Sequence, residues 1–458
     1  TVVADGFQGE RTLLTDGFRA AGTGPEYRYM QVLGHLPVLL SPHPRRVAVL
    51  ALGTGTTVGA VALHDEVERI DVLELSRAVV EAAPWFREKN RGALAEGLPG
   101  LLDTSGGHDR VVVHLGDGRA TLAAARGAFD VITMEPLLPD SPFGVYLYTR
   151  EFYERAREAL APEGLLCQWV PPHALEPESF AAVLDAFARA FPWSSIWLSG
   201  TQVILLGGEK EPRLDPQRFS SQGDRSRALA ELGLSTPAQL LSRFVADGAQ
   251  VRVGTRELSD RDPWIVYRTR RTGPILLADL PRNLALLRSI SSPPPTAWLS
   301  SAGHGAIQEI EGMAALRAAR EAYALAEARL RGLRGSAGEL GSHPDLEESL
   351  GRARALLPGD PEVADLEEEI AFTADLRAGV SSLGSDRSRE GARAALPFLR
   401  SAARSRPRRG DVHLYVRVAL ERLEDRTQEP EIEAELRIAL EACPRIARTP
   451  EGKRSRAL

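Results

Sequence analysis

Glu135 stands in the stretch FDVITMEPLLPDSP at 129–142, at the end of an apolar run. A carboxylate in such a place can take a proton from an attacking nucleophile once burial lifts its pKa towards neutrality. It can equally fix the loop before Pro136. Upstream, LALGTGTTVG at 50–59 follows an apolar segment and opens a helix-like one. Gly53, Thr54 and Gly55 then form a tight turn in which backbone N–H groups can approach a ligand. Glu74 ends the next apolar segment about 20 residues later, where a carboxylate can accept hydrogen bonds from two ribose hydroxyls. Glycine loop and acid together suit a nicotinamide dinucleotide as well as an adenosyl compound.

These residues need a scaffold, and the chain supplies one. From Arg46 to Gly207, strand-like and helix-like segments alternate: VAVLAL, a helix through His64, IDVLEL, a helix from Arg77 to Lys89, VVVHL, FDVITM, a helix from Thr149 to Leu160, GLLCQWV, a helix from Pro177 to Ala190, then SIWLSG and QVILLG. Apolar strands without alternation are those of a parallel sheet covered on both faces, which predicts a doubly wound α/β fold. In that fold the carboxyl ends of the strands face the ligand crevice, and there lie the glycine loop, Glu74 and Glu135.

Four units are expected. Residues 1–40 read as an N-terminal β-hairpin element, from the alternation and Asp-Gly pairs of Thr1 to Gly24, and 41–290 as the nucleoside-binding domain. Residues 291–305, with Pro293 to Pro295 in a row, read as a stiff, non-helical linker. Residues 306–458 are rich in Ala, Leu, Glu and Arg with helical periodicity, which fits either a degenerate tetratricopeptide-type array or an ordinary bundle. Within 41–290, Asp260, Arg261 and Asp262 read as solvated loop charges, His35 as a hydrogen-bonded structural residue and His173 as a candidate for acid–base work.

With 458 residues, 43% hydrophobic and 26% charged, the chain is not disordered as a whole. A net charge of -6 gives no global attraction to nucleic acid or anionic membrane. Cys167 and Cys443 lie far apart, so neither a disulfide framework nor a metal site is expected. Without an apolar run long enough to span a bilayer the reading is cytoplasmic, or membrane-tethered if a segment precedes Thr1.

The third and fourth elements separate the two cofactor classes. LGDGRA at 115–120 puts Asp117 and Gly118 after the third strand, suited to an adenine amino group, and LAPEGLLCQW at 160–169 leads into the fifth. This order resembles a Rossmann-like, methyltransferase-type fold rather than a dehydrogenase. The first half of the chain resembles the spermidine synthase-like (polyamine aminopropyltransferase) family, in particular the bacterial branch often fused to membrane segments. The resemblance rests on TDGF at 15–18, YMQVLGHLPVLL at 29–40, VAVLALGTGT at 47–56, IDVLEL at 70–75, GDGRA at 116–120, FDVITMEP at 129–136 and LYTREFYERAREALAPEGLLCQW at 147–169.

The resemblance implies a small N-terminal β-domain and transfer of an aminopropyl group from decarboxylated S-adenosylmethionine to a small-molecule amine, without a metal. S-adenosylmethionine as a methyl donor, and a non-catalytic nucleoside-binding scaffold, are the alternatives. It also implies an acceptor segment at Tyr29 and Gln31, with Glu135 as the catalytic base; Asp140 stands nearby on the loop, and Tyr29 and Tyr148 read either as lining the acceptor mouth or, more often for an aromatic beside apolar residues, as core packing. The sequence departs from the family at several of these places: Thr54 replaces an aspartate that holds the donor's amino end, Tyr29, Met30 and Gln31 replace a YHEM-like segment, and Leu138 replaces a second acid. The helical tail suits a protein partner, and a homo-oligomer fits the same reading. Nucleic acid does not.

Overall fold

The computed structural model describes residues 2–5, 10–15, 18–24, 28–94, 110–141, 143–220, 222–251, 256–268, 276–302, 307–323 apart from Met313, Arg317, Arg320 and Glu321, 344–385, 388–407, 410–423 and 429–442. Asp16 and Gly17 of the TDGF motif, Cys443 and the IALEACPRIART piece beyond Ala442 lie outside the described residues.

Three short strands, β1 (Val2–Asp5), β2 (Glu10–Thr15) and β3 (Phe18–Gly22), form an antiparallel sheet. The β-element ends there. Residues expected within it at 29–40 instead form helix α1 (Tyr29–Leu40), nearly all of whose side chains are buried. YMQVLGHLPVLL is too apolar all round for a half-exposed strand, and a helix buried on every side accommodates it.

The main sheet has eight strands. They are β4 (Arg46–Leu50), β5 (Arg69–Glu74), β6 (Val111–Leu115), β7 (Phe129–Met134), β8 (Leu160–Val170), β9 (Trp193–Ser199), β10 (Gln202–Gly208) and β11 (Phe244–Asp247). Their order is β11-β9-β10-β8-β7-β4-β5-β6. β4 to β8 pair in parallel, whereas β10 runs antiparallel to both β8 and β9. The class is the α/β, Rossmann-like, methyltransferase-type fold expected from the sequence. The reversal between β4–β5 and β4–β7 opens the crevice at the carboxyl ends of the strands.

Helices α2 (Thr56–Val61), α3 (Arg77–Ala82), α4 (Arg87–Asn90), α5 (Gly118–Ala124), α6 (Arg150–Ala159) and α7 (Pro177–Ala190) join these strands. The helix expected from Arg77 to Lys89 is interrupted by a 3-10 turn at Ala83–Phe86, where Pro84 breaks the regular ladder. Short helices α8 (Gly223–Glu231) and α9 (Pro237–Leu241) precede β11, and α10 (Leu276–Ser289) follows it.

The proline-rich stretch is not the expected linker. Its second half is helix α11 (Thr296–Ala302), preceded by Pro295, whose carbonyl accepts the first helical bonds from the N–H groups of Trp298 (2.9 Å) and Leu299 (3.1 Å). Trp298 of α11 is buried against Trp197 (5.9 Å between ring centroids) and Phe244, and its indole N–H donates to the Pro212 carbonyl at 2.9 Å. The segment is therefore anchored to the sheet's β9–β11 end. Beyond it, helices at Pro344–Leu356, Pro361–Ser385, Arg389–Ser405, Gly410–Leu423 and Glu429–Ala442 bury two separate apolar clusters, one centred on Leu366 and the other on Leu399. Among the described residues no helix is long and apolar enough to cross a membrane, and no group of three or more His, Cys, Asp or Glu is placed to hold a metal ion.

Candidate nucleoside and proton-transfer site

The glycine loop after β4 is held in left-handed backbone. Ala51, Gly53 and Gly55 have φ of 68°, 54° and 75°. Ala51 in that region carries a steric penalty of about 1–2 kcal/mol, which the fold sustains by bonding its N–H to the Leu73 carbonyl at 3.0 Å. A Cβ on Gly55 would come within 2.8 Å of Leu94 Cδ1 and 3.0 Å of Asn90 Cβ, so a side chain there is excluded by space as well as by φ. Asn90 is fully buried and donates to the carbonyls of Thr54 (3.2 Å) and Ala83 (2.8 Å), fixing the turn from behind.

Glu74 ends β5 and is buried. One carboxyl oxygen accepts from Leu52 N and the other from Ser76 N, each at 2.8 Å. Desolvation raises its pKa, and these backbone bonds oppose the shift. Each oxygen has a lone pair left for a ligand hydroxyl. Leu75, next to it, is 75% exposed, an apolar surface at the mouth of the crevice.

Asp117 is exposed and caps α5, accepting from Arg119 N at 2.8 Å and Ala120 N at 3.4 Å through one carboxyl oxygen. Gly118 is close-packed, since a Cβ would fall 2.9 Å from Leu50 Cδ1. Thr54 is buried and its hydroxyl lies 2.7 Å from that of Thr56 and 3.8 Å from Met30 Sδ. The slot between the glycines is thus closed by neutral groups.

Glu135 follows β7 and joins β4 through its N–H to the Leu50 carbonyl (3.4 Å). The residue keeps some contact with solvent, but desolvation pushes its carboxyl up to about 8. The Tyr29 hydroxyl donates to Oε1 and works in the opposite direction by favouring the anion. Tyr29 is itself stacked on Trp169 at the end of β8, with ring centroids 5.3 Å apart and planes 14° from parallel. So Tyr29, an acceptor candidate from sequence, touches the candidate base directly.

The other acceptor candidates are distributed differently. Tyr148 is fully buried and donates to the Leu137 carbonyl at 3.1 Å, so it holds the loop after β7 from inside instead of lining its mouth. Burial raises its pKa well above the usual phenol range. Gln31 is half-buried on α1. Asp140 is half-buried beyond Pro139, in the turn closed by Ser141 N to Leu138 O at 3.0 Å.

Three groups escaped the sequence reading. Trp169 was visible only as part of QWV, and nothing in its spacing marked it as Tyr29's partner. Asp260, read as a solvated charge, accepts from Arg119 and from Thr149 Oγ1 (2.7 Å), while its N–H donates to Glu151 (2.9 Å). It ties the 256–268 loop to the start of α5, and Asp262 pairs with Arg256 at 2.8 Å. The third is His64, buried with its Nε2 2.8 Å from Nδ1 of His35, the residue read as a hydrogen-bonded structural one, and burial lowers the pKa of both. His173, the other acid–base candidate, is also lowered by burial.

Residues 26–199 match the family model described as the Spermine/spermidine synthase domain. The polyamine aminopropyltransferase of Nitrosomonas europaea is 32% identical over 157 residues, which are 34% of this chain and 44% of the relative. The spermidine synthase of Coffea arabica is 30% identical over 215 residues, 45% of this chain and 64% of the relative. The chain therefore spans less than two thirds of either relative. A solved spermidine synthase in complex with the transition state analogue AdoDATO aligns with a TM-score of 0.40 and 22% identity, over 49% of this chain and 78% of that one.

Proposed function

We propose that this chain, whose residues 26–199 match the Spermine/spermidine synthase domain, binds an adenosyl thioether or sulfonium compound and transfers an aminopropyl or related alkyl group to an amine. The observation that carries the reading is the convergence, at the carboxyl ends of β4, β5 and β7, of a left-handed glycine turn, a buried acid and a proton-accepting acid. In this reading the Gly53–Gly55 turn passes beneath the sulfur-bearing chain, Glu74 takes the ribose hydroxyls and Asp117 takes the adenine amino group.

The amine nitrogen attacks the carbon next to the sulfonium sulfur. A new N–C bond forms as the C–S bond breaks, the electron pair stays on sulfur to give a neutral thioether, and the amine proton passes to Glu135. Alignment and deprotonation are what the protein contributes. A carboxyl with a pKa of about 8 is well matched to that proton, and the Tyr29 hydroxyl keeps it oriented. Incubation with decarboxylated S-adenosylmethionine and a panel of amines, followed by mass spectrometry, tests this. An added aminopropyl mass that Glu135→Gln abolishes supports it, and unchanged amines with every donor refute it.

Methyl transfer from S-adenosylmethionine is a second reading, favoured by the neutral Thr54–Thr56 hydroxyl pair, which offers no carboxylate to the lone ammonium of the decarboxylated donor, whereas in S-adenosylmethionine the ammonium is accompanied by its own carboxylate. The same incubation with S-adenosylmethionine separates the two by the mass added.

A further inference from the structure

One residue, Arg119, reaches three parts of the crevice wall. It stands in the first turn of α5, two residues after Asp117, and its backbone N–H donates to Asp117 Oδ1 at 2.8 Å. Its guanidinium donates to the Tyr146 carbonyl at 2.6 Å and, through the neighbouring nitrogen, to Asp260, and it lies 5.8 Å from the centroid of the Tyr146 ring. Tyr146 belongs to the loop between Glu135 and α6. Asp260 belongs to the 256–268 loop, and its other carboxyl oxygen accepts from Thr149 Oγ1 at 2.7 Å. Arg150 joins the two loops a second time, through its N–H to the Leu258 carbonyl (3.1 Å) and its guanidinium to Glu257 (2.9 Å).

This is not a loose surface ion pair. The Arg119 side chain is 16% exposed and that of Asp260 28%, so removing either partner leaves the other charge poorly solvated. Tyr146 lies 27 and Asp260 141 positions along the chain, so these bonds fix two loops against α5 and add nothing to the helix itself. Asp117 accepts its capping bonds through Oδ1, which leaves Oδ2 for a ligand. Any shift of Arg119 moves the donor that orients this carboxylate. We propose that Arg119 is a positioning residue: by clasping both loops to the first turn of α5, it aims Asp117 at the adenine amino group and links nucleoside binding to the placement of the loops. The inference rests on the nucleoside reading above and adds the residue that orders its adenine end. Such coupling is reciprocal, so whatever factor the clasp adds to nucleoside affinity, bound nucleoside adds to the stability of the clasp.

The test measures methylthioadenosine binding to the full chain by calorimetry and hydrogen exchange. Arg119→Gln and Asp260→Asn should each weaken binding by about fivefold or more. The double variant should bind no more weakly than Arg119→Gln alone, because both changes open the same clasp. Arg119→Lys, which can keep one of the two side-chain contacts, should lose less. Bound nucleoside should slow exchange across 256–268 in the unaltered chain but not in Arg119→Gln saturated with ligand. Exchange in β8 reports whether each variant is folded, and Asp260→Asn, changed only in the loop, carries the test if Arg119→Gln unfolds. Unweakened binding in the folded variants, or losses that add in the double variant, overturns the inference and leaves the nucleoside site standing. If methylthioadenosine does not bind the unaltered chain, the nucleoside reading fails and the inference with it.

Discussion

Glu135 is expected to keep its proton to about pH 8, and exchange for glutamine exposes the consequence. The carboxyl would ordinarily titrate at 4.5. Below that pH it is neutral in folded and unfolded chains alike. Between 4.5 and about 8 the unfolded chain releases the proton and the folded chain retains it, so the stability contributed by this group declines as pH rises. It levels off above the folded value. At about 1.4 kcal/mol per pH unit the ceiling is roughly 5 kcal/mol, reduced to the order of 2 to 3 kcal/mol by the residue's remaining contact with water.

Glu135→Gln preserves shape and removes the titration. Urea unfolding followed by tryptophan fluorescence measures the difference between the two proteins, in which every other titrating group cancels. All 6 tryptophans precede residue 300, so the signal comes from the sheet-bearing part and not from the C-terminal helices. The stability advantage of the glutamine protein should grow by about 1.5 to 2 kcal/mol from pH 5.5 to 8.5, the rest of the change falling between pH 4.5 and 5.5. A gap that is flat over that interval, or that opens only below pH 5, would refute the claim that Glu135 sits in a desolvating site.

Tyr29→Phe removes the one bond that favours the carboxylate, so the alkaline-rising limb of the pH–rate profile should move to higher pH; an unmoved limb would separate Tyr29 from the base. Gly55→Ala should destabilise by at least about 1–2 kcal/mol through left-handed strain alone, with more from the clash with Leu94 and Asn90, and a wild-type melting temperature would contradict it. Trp298→Ala should cost about 3–5 kcal/mol in the same urea assay, because the indole is buried between Trp197 and Phe244. Asp260→Ala should make the 256–268 loop more sensitive to limited proteolysis by releasing Arg119 and Thr149, and an unchanged cleavage pattern would count against that tether.

Much of the site could be read from the sequence because it depends on local pattern. Gly53 and Gly55 announce a turn that a side chain cannot enter, and Glu74 falls one strand further on, where chain connectivity alone carries it to the crevice. For Tyr148 the sequence left acceptor mouth and core packing side by side, because an aromatic near a loop looks the same whether it points outward or under the loop, and tertiary packing buries it. Asp260 and Asp262 look like any charged loop until Arg119, 141 positions away, and Arg256 meet them. The Pro293–Pro295 run suggested a linker, yet proline also starts helices, and Trp298 made burial of α11 worthwhile.

A crystal structure of the chain with methylthioadenosine tests the central claim most directly. The account predicts the ribose hydroxyls on Glu74, the adenine amino group at Asp117, and the sulfur-bearing chain over the Gly53–Gly55 turn, directed towards Glu135. A nucleoside bound elsewhere, or with its ribose away from Glu74, would contradict it.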